Sequence, residues 1–105
     1  PFFNFQYKVR ENFESGSIYC PTELKDKVVG KYYTYGIINA IVIKKTKSGK
    51  EYFQLILEDE RNQININIWK NEFIENLTKG NKVITEVEKN SFGFNLKTKI
   101  HKIQS

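Results

Sequence analysis

The sequence predicts an all-β domain: a five-stranded Greek-key barrel with one short helix between the third and fourth strands, preceded by an N-terminal arm. Three observations carry this expectation. From Tyr35 onward the chain divides into five β-branched or alternating runs, each offering one apolar face to an interior. Short Gly-, Asn- and Ser-containing turns separate them. Within this stretch the apolar period changes from two to a helical spacing after the third run.

The elements follow in order. Residues 1–34 read as an arm or the tail of a preceding domain, and residues 35–105 as the barrel. In the arm, Phe3, Phe5, Tyr7 and Val9 alternate like an edge strand, "ENFESGSIYCP" is turn-rich, and "TELKDKVVG" suits a short helix from Thr22 to Gly30. "YGIINAIVIKK" is a long β-branched first strand, and "TKSGK" turns it back through Gly49. "EYFQLILED" points Phe53, Leu55 and Leu57 one way, and Tyr52, Gln54, Ile56 and Glu58 the other. After the tight turn "ERN", "NQININIW" sets Ile64, Ile66 and Ile68 against Asn65, Asn67 and Trp69. Phe73, Ile74 and Leu77 fit a short amphipathic helix closed by Gly80. "NKVITEVEK" is a fourth strand with Val83, Thr85 and Val87 on one side. "NSFG" turns into "FNLKTKIHKI", a fifth strand with Phe94, Leu96 and Ile100 facing in.

Composition narrows the function classes. The length suits one domain with a modest core. A net charge of +5 fits an acidic partner such as nucleic acid without requiring one. Cys20 and His101 are the single members of their kinds, so there is no internal disulfide and no companion set for a structural zinc. Cys20 reads as a small buried hydrophobe, and Asp59 as a turn-former. The consecutive acids Glu58, Asp59 and Glu60 do not converge on a metal, His101 has no nucleophile at a recognisable spacing, and no P-loop or dinucleotide fingerprint is present. A non-catalytic module with no cofactor, no metal and no small-molecule substrate is expected. The sequence has no membrane-length apolar run and no signal pattern, which leads us to expect a cytoplasmic protein without membrane partners. A chain that starts at Pro1 and lacks methionine is expected to be a piece of a larger parent protein.

Strand, strand, strand, helix, strand, strand is the order of an OB-fold; a small SH3-like barrel would place no helical plug after strand three. The runs "GIINAIVIKKTKSGKEYFQLILEDE", "INIWKNEFIENL" and "KGNKVITEVEK" resemble the OB-fold nucleic-acid-binding family of anticodon-binding type. Within it they are most similar to the OB domains of bacterial replicative DNA polymerase III alpha subunits. The likeness spans Gly36 to Ile103. It implies a single-stranded nucleic-acid binder, DNA before RNA, serving a larger replication or repair enzyme. The strand-two position where the family often stacks a base falls at Gln54, so Tyr52 beside it is the expected replacement. The base-contacting positions of strand three fall at Asn65 and Asn67.

Such a binder needs cations for phosphates, flat rings for bases and a groove to align them. Lys44, Lys45, Lys47 and Lys50 crowd the turn between strands one and two. Lys97 and Lys99 alternate along the expected fifth strand, and Lys89 enters the last turn. Tyr52 and Trp69 lie on the outward phase, and Phe92 at the tip of the other flanking turn. Taken singly, tip lysines serve solubility, outward asparagines are ordinary sheet residues, and Trp69 suits plug packing as well as a groove. A shared phase for Tyr52, Gln54, Asn65 and Asn67 beside the lysine turn favours the groove. The alternative is a protein-interaction barrel whose groove holds a peptide or its own arm.

Overall fold

A computed structural model describes Val9 and residues 18–103; the alternating arm residues Phe3, Phe5 and Tyr7 lie outside them. The elements are α1 (Pro21–Leu24), β1 (Gly30–Lys45), β2 (Glu51–Glu58), β3 (Gln63–Ile68), a 3-10 turn (Asn71–Ile74), β4 (Lys82–Asn90), β5 (Gly93–Leu96) and β6 (His101–Ile103). Neighbours run β1-β2-β3-β5-β4, and β4 pairs back onto β1, so five strands close in a ring with β6 added on β4. All pairings within named strands are antiparallel except β3 with β5. This is the five-stranded all-β architecture that the alternation predicts.

Period two explains the interior. Ile38, Leu55, Leu57, Ile64, Ile66, Ile68, Val83, Val87, Phe94, Leu96 and Ile100 are buried in one core cluster. Thr85 sits between Val83 and Val87 on the same side of β4 and faces Thr34 of β1. Both threonines are buried, and among the described residues neither hydroxyl has a hydrogen-bond partner.

β1 begins at Gly30, five residues before the alternation suggests. Its first part pairs with β4 from Gly30↔Lys89 to Ile37↔Lys82, and its second with β2 from Ile37↔Glu58 to Lys45↔Glu51. One strand can serve two neighbours because the register shifts between Ile38 and Ala40, and the bulged Asn39 bends the sheet there. Gly36 lies where β1 and β2 come closest. A Cβ on it would stand 2.7 Å from Leu57 Cγ and 2.8 Å from the Glu58 carbonyl oxygen.

The segment before β1 is part of this packing. α1 is a single turn started by Pro21 at its first position, and the Glu23 carboxylate accepts the Cys20 N–H at 3.0 Å. Leu24 is fully buried in the main core, and Tyr19 pairs edge-on with Tyr32. Gly30 therefore opens a strand rather than closing a helix. A second cluster of Val9, Ile18, Cys20 and Tyr35, joined by Ile37, Ile84 and Ile103, covers the outer face of β1, β4 and β6.

Two further elements differ from the sequence expectation. The helix after β3 shrinks to a 3-10 turn ending at Ile74, and Asn76 adopts φ 63°, which cannot continue a helix. Phe73, Ile74 and Leu77 still pack on the core, but Gly80 belongs to a later turn and donates its N–H to Ile38 at 2.8 Å. The fifth strand is interrupted. Val87 faces Leu96 while Ile84 faces His101, three residues of advance against five, so two residues bulge out; Lys97 N–H still donates to the Glu86 carbonyl at 3.1 Å, and the ladder breaks after it.

Candidate nucleic-acid interface

Strand phase builds the outer face of β2 and β3. With Leu55, Leu57, Ile64, Ile66 and Ile68 inside, Tyr52, Gln54 and Ile56 and then Asn65, Asn67 and Trp69 are turned out. Register then joins these into rows. Val42, Gln54, Asn67 and Asn95 stand side by side across β1, β2, β3 and β5, with Lys44 opposite Tyr52 in the adjacent row. Asn65, opposite Ile56, is exposed one row further along.

The centre of the face is aromatic. Tyr52 and Trp69 stack on each other with centroids 4.5 Å apart and planes at 24°. Trp69 remains 45% exposed, so the tryptophan is a surface ring rather than a plug. Its Nε1 donates to Asn95 Oδ1 at 3.3 Å, and the Lys50 ammonium stands 5.5 Å from the ring centroid. Each neighbour fixes the indole in place, by roughly 0.5–1 kcal/mol apiece for exposed contacts of this kind. Since the two rings cover one another, the pair forms one shelf and not two separate platforms. Beside it, Gln54 Nε2 donates to Asn67 Oδ1 at 3.1 Å, which holds both amides on the same surface.

The flanking turns are ordered by their own side chains. In the lysine turn, Thr46 N–H donates to the Lys50 carbonyl at 2.9 Å, the Thr46 hydroxyl accepts the Lys50 N–H at 3.1 Å, and Gly49 takes φ 91°. Lys44, Lys45, Lys47 and Lys50 are all exposed. Lys50 meets the aromatic shelf and Lys44 stands opposite Tyr52 in register; Lys45 has the opposite phase, across from Glu51, and Lys47 is at the tip. In the β4–β5 turn Asn90 Oδ1 accepts the Phe92 N–H at 2.8 Å, and Gly93 has φ 120°. Phe92 is 90% exposed and contributes nothing to the core.

Other expected cations lie elsewhere. Lys97 and Lys99 do not alternate along a strand, because both sit in the bulge after β5; Lys97 pairs with Glu88 at 3.4 Å. Lys89 donates to the carbonyls of Lys25 and Lys27 at 3.1 and 2.6 Å and lies over the Phe94 ring, so it ties α1 to β4. Asn95 is the site residue the sequence reading lacks. The signal was present, since Phe94 and Leu96 facing in oblige Asn95 to face out.

The titratable groups with shifted pKa values are structural. Burial raises the Asp59 carboxyl, but hydrogen bonds from Thr22, Asn62 and Arg61 outweigh it and hold the pKa at about 2. Asp59 accepts the Thr22 N–H at 2.6 Å and those of Arg61 and Asn62 at 2.8 Å each, so it shapes the β2–β3 turn and fastens α1 to it. Burial pushes the Cys20 thiol up to about 12, leaving no thiolate at neutral pH. Among the described residues no group of three His, Cys, Asp or Glu is arranged to hold a metal, and no helix is long and apolar enough to cross a membrane. No protein-family model matches the chain, and no curated protein matches it.

Proposed function

We propose that this chain is a non-catalytic single-stranded nucleic-acid-binding OB domain, for DNA before RNA, that serves a larger replication or repair protein. The observation that carries the reading is the Tyr52–Trp69 shelf, an exposed indole stacked on a half-buried tyrosine, with Lys44 and Lys50 on one side and the amides of Gln54, Asn67 and Asn95 on the other. Bases stack on the shelf, phosphates follow the lysine turn, and Phe92 supplies a further ring at the opposite flank. Stacking needs no particular base, because every base offers a π face, and each stacked base is worth about 1–3 kcal/mol. A peptide-holding groove would call for a largely apolar floor, whereas the row beside the shelf carries three amides, Gln54, Asn67 and Asn95, next to Val42. The described arm residues Val9, Ile18 and Cys20 pack over β1, β4 and β6, away from the shelf.

The test is a titration of a short labelled single strand at low and moderate salt. Binding should weaken steeply with salt, Lys47→Glu should flatten that slope, and Tyr52→Ala should lower affinity about tenfold or more for any sequence. Absent binding, or binding indifferent to salt and to both substitutions, refutes the proposal.

A further inference from the structure

Hydrogen-bond polarity on the shelf carries a second conclusion, which rests on the reading above. An indole N–H can only donate, so its contact with Asn95 fixes Oδ1 as the acceptor and leaves the Nδ2 hydrogens for other partners. Gln54 Nε2 donates to Asn67 Oδ1, which leaves the Asn67 amide hydrogens to donate and Gln54 Oε1 to accept. The nearby cations, Lys44 and Lys50, donate only. Two acids of this surface have partners of their own: Glu58 Oε2 accepts from Asn39 at 3.2 Å, and Glu88, opposite Asn95 in register, pairs with Lys97. Beside the indole, therefore, the Asn95 amide and the Lys50 ammonium both present N–H groups.

We infer that the base seat beside Trp69 selects keto pyrimidines, thymine or uracil, over cytosine. The two kinds of ring have nearly the same size and stack alike. They differ at position 4, where thymine and uracil carry a carbonyl acceptor and cytosine an amino donor, and at position 3, where the first two donate and cytosine accepts; the inferred seat sets position 4 against the Asn95 amide. A carbonyl there accepts an N–H from the floor; an amino group meets N–H with N–H and forfeits its hydrogen bond with water. Asn95 is the specificity-determining residue, because its amide is both oriented by the tryptophan and adjacent to the stacked base.

The sole tryptophan gives the assay its signal. Trp69 fluorescence is followed while the full chain, wild-type or Asn95→Asp, is titrated with short homopolymers of thymidine, deoxycytidine, uridine and cytidine at one salt concentration. Wild-type protein should bind the keto member of each sugar pair roughly tenfold more tightly than the amino member. The carboxylate of Asn95→Asp still accepts from Trp69 but offers an oxygen where the amide offered hydrogens. Its added charge weakens all four polymers alike, so the keto-to-amino ratio should fall to about one or below. A wild-type ratio of one with measurable binding overturns the selectivity, as does a ratio that Asn95→Asp leaves unchanged. Binding of none of the polymers overturns the nucleic-acid reading itself. The tighter of the deoxycytidine and cytidine polymers, which share one base, identifies the sugar.

Discussion

Replacing Thr34 and Thr85 together by valine should stabilise the domain. The two side chains face each other across β1 and β4 inside the ring, at 0% and 2% exposure, and their hydroxyl oxygens have no partner among the described residues. A buried polar group without a hydrogen bond costs about 1–3 kcal/mol, while valine has nearly the same shape as threonine and is at least as suited to a strand. Taking the lower end for each site, the double variant should gain about 2 kcal/mol, with about 1 from each single change. For a domain of this size that is a rise in Tm of roughly 8–16 °C. The assay is urea unfolding of wild type, both singles and the double, with equal m-values required before midpoints are compared. If each single variant loses stability while the double recovers it, the hydroxyls bond to each other. If the double variant is also destabilised, the reasoning from unpaired groups fails outright.

Two other substitutions probe how the ring is held. Gly36→Ala puts a methyl 2.8 Å from a backbone oxygen that cannot swing aside, so a loss of about 2–3 kcal/mol is expected in the same unfolding assay, and an unchanged midpoint would mean that β1 and β2 separate freely there. For Asp59 the folded pKa of about 2 lies below the ordinary carboxyl value of 3.8, so its contribution is fully present above pH about 4 and is lost as pH falls towards 2. At face value the shift is worth about 2 kcal/mol, reduced to about 1 for a side chain partly open to solvent. Wild type should therefore lose stability relative to Asp59→Asn between pH about 4 and 2, and parallel pH curves would show that the carboxylate is not the fastening point.

Much of this was legible because period-two alternation has a direct physical cause: one face of each strand is inside and the other is not. Leu55 and Leu57, the three isoleucines of β3, Val83, Val87, Phe94 and Leu96 were placed by that rule alone, and it also turned Tyr52, Gln54, Asn67 and Trp69 outward. The rule lost its grip where both faces are covered. Thr34, Tyr35, Gly36 and Ile38 are all buried, because Ile18 and Cys20 pack on one side of β1 and the core on the other, so the start of the strand carried no alternation to read. The break after Leu96 was hidden for a different reason. Lys97, Thr98 and Lys99 alternate convincingly, yet the register slip that breaks the ladder beyond Lys97 depends on β4, not on their own composition. That Tyr52 and Trp69 share one shelf is likewise a matter of register, with Phe53 opposite Ile68 bringing the next pair together.

The way β1 is partnered has a practical bearing on dissecting the molecule. A truncated version starting at Tyr35 would strip away the half of β1 that grips β4 near its far end, uncork the core where Leu24 sits, and bare a greasy flank of Tyr35, Ile37, Ile84 and Ile103. Such a fragment is set up to clump, and its failure to hold an oligonucleotide would reflect a broken scaffold rather than a missing ligand. The minimal self-sufficient piece has to include the stretch from Ile18, together with whatever seats Val9.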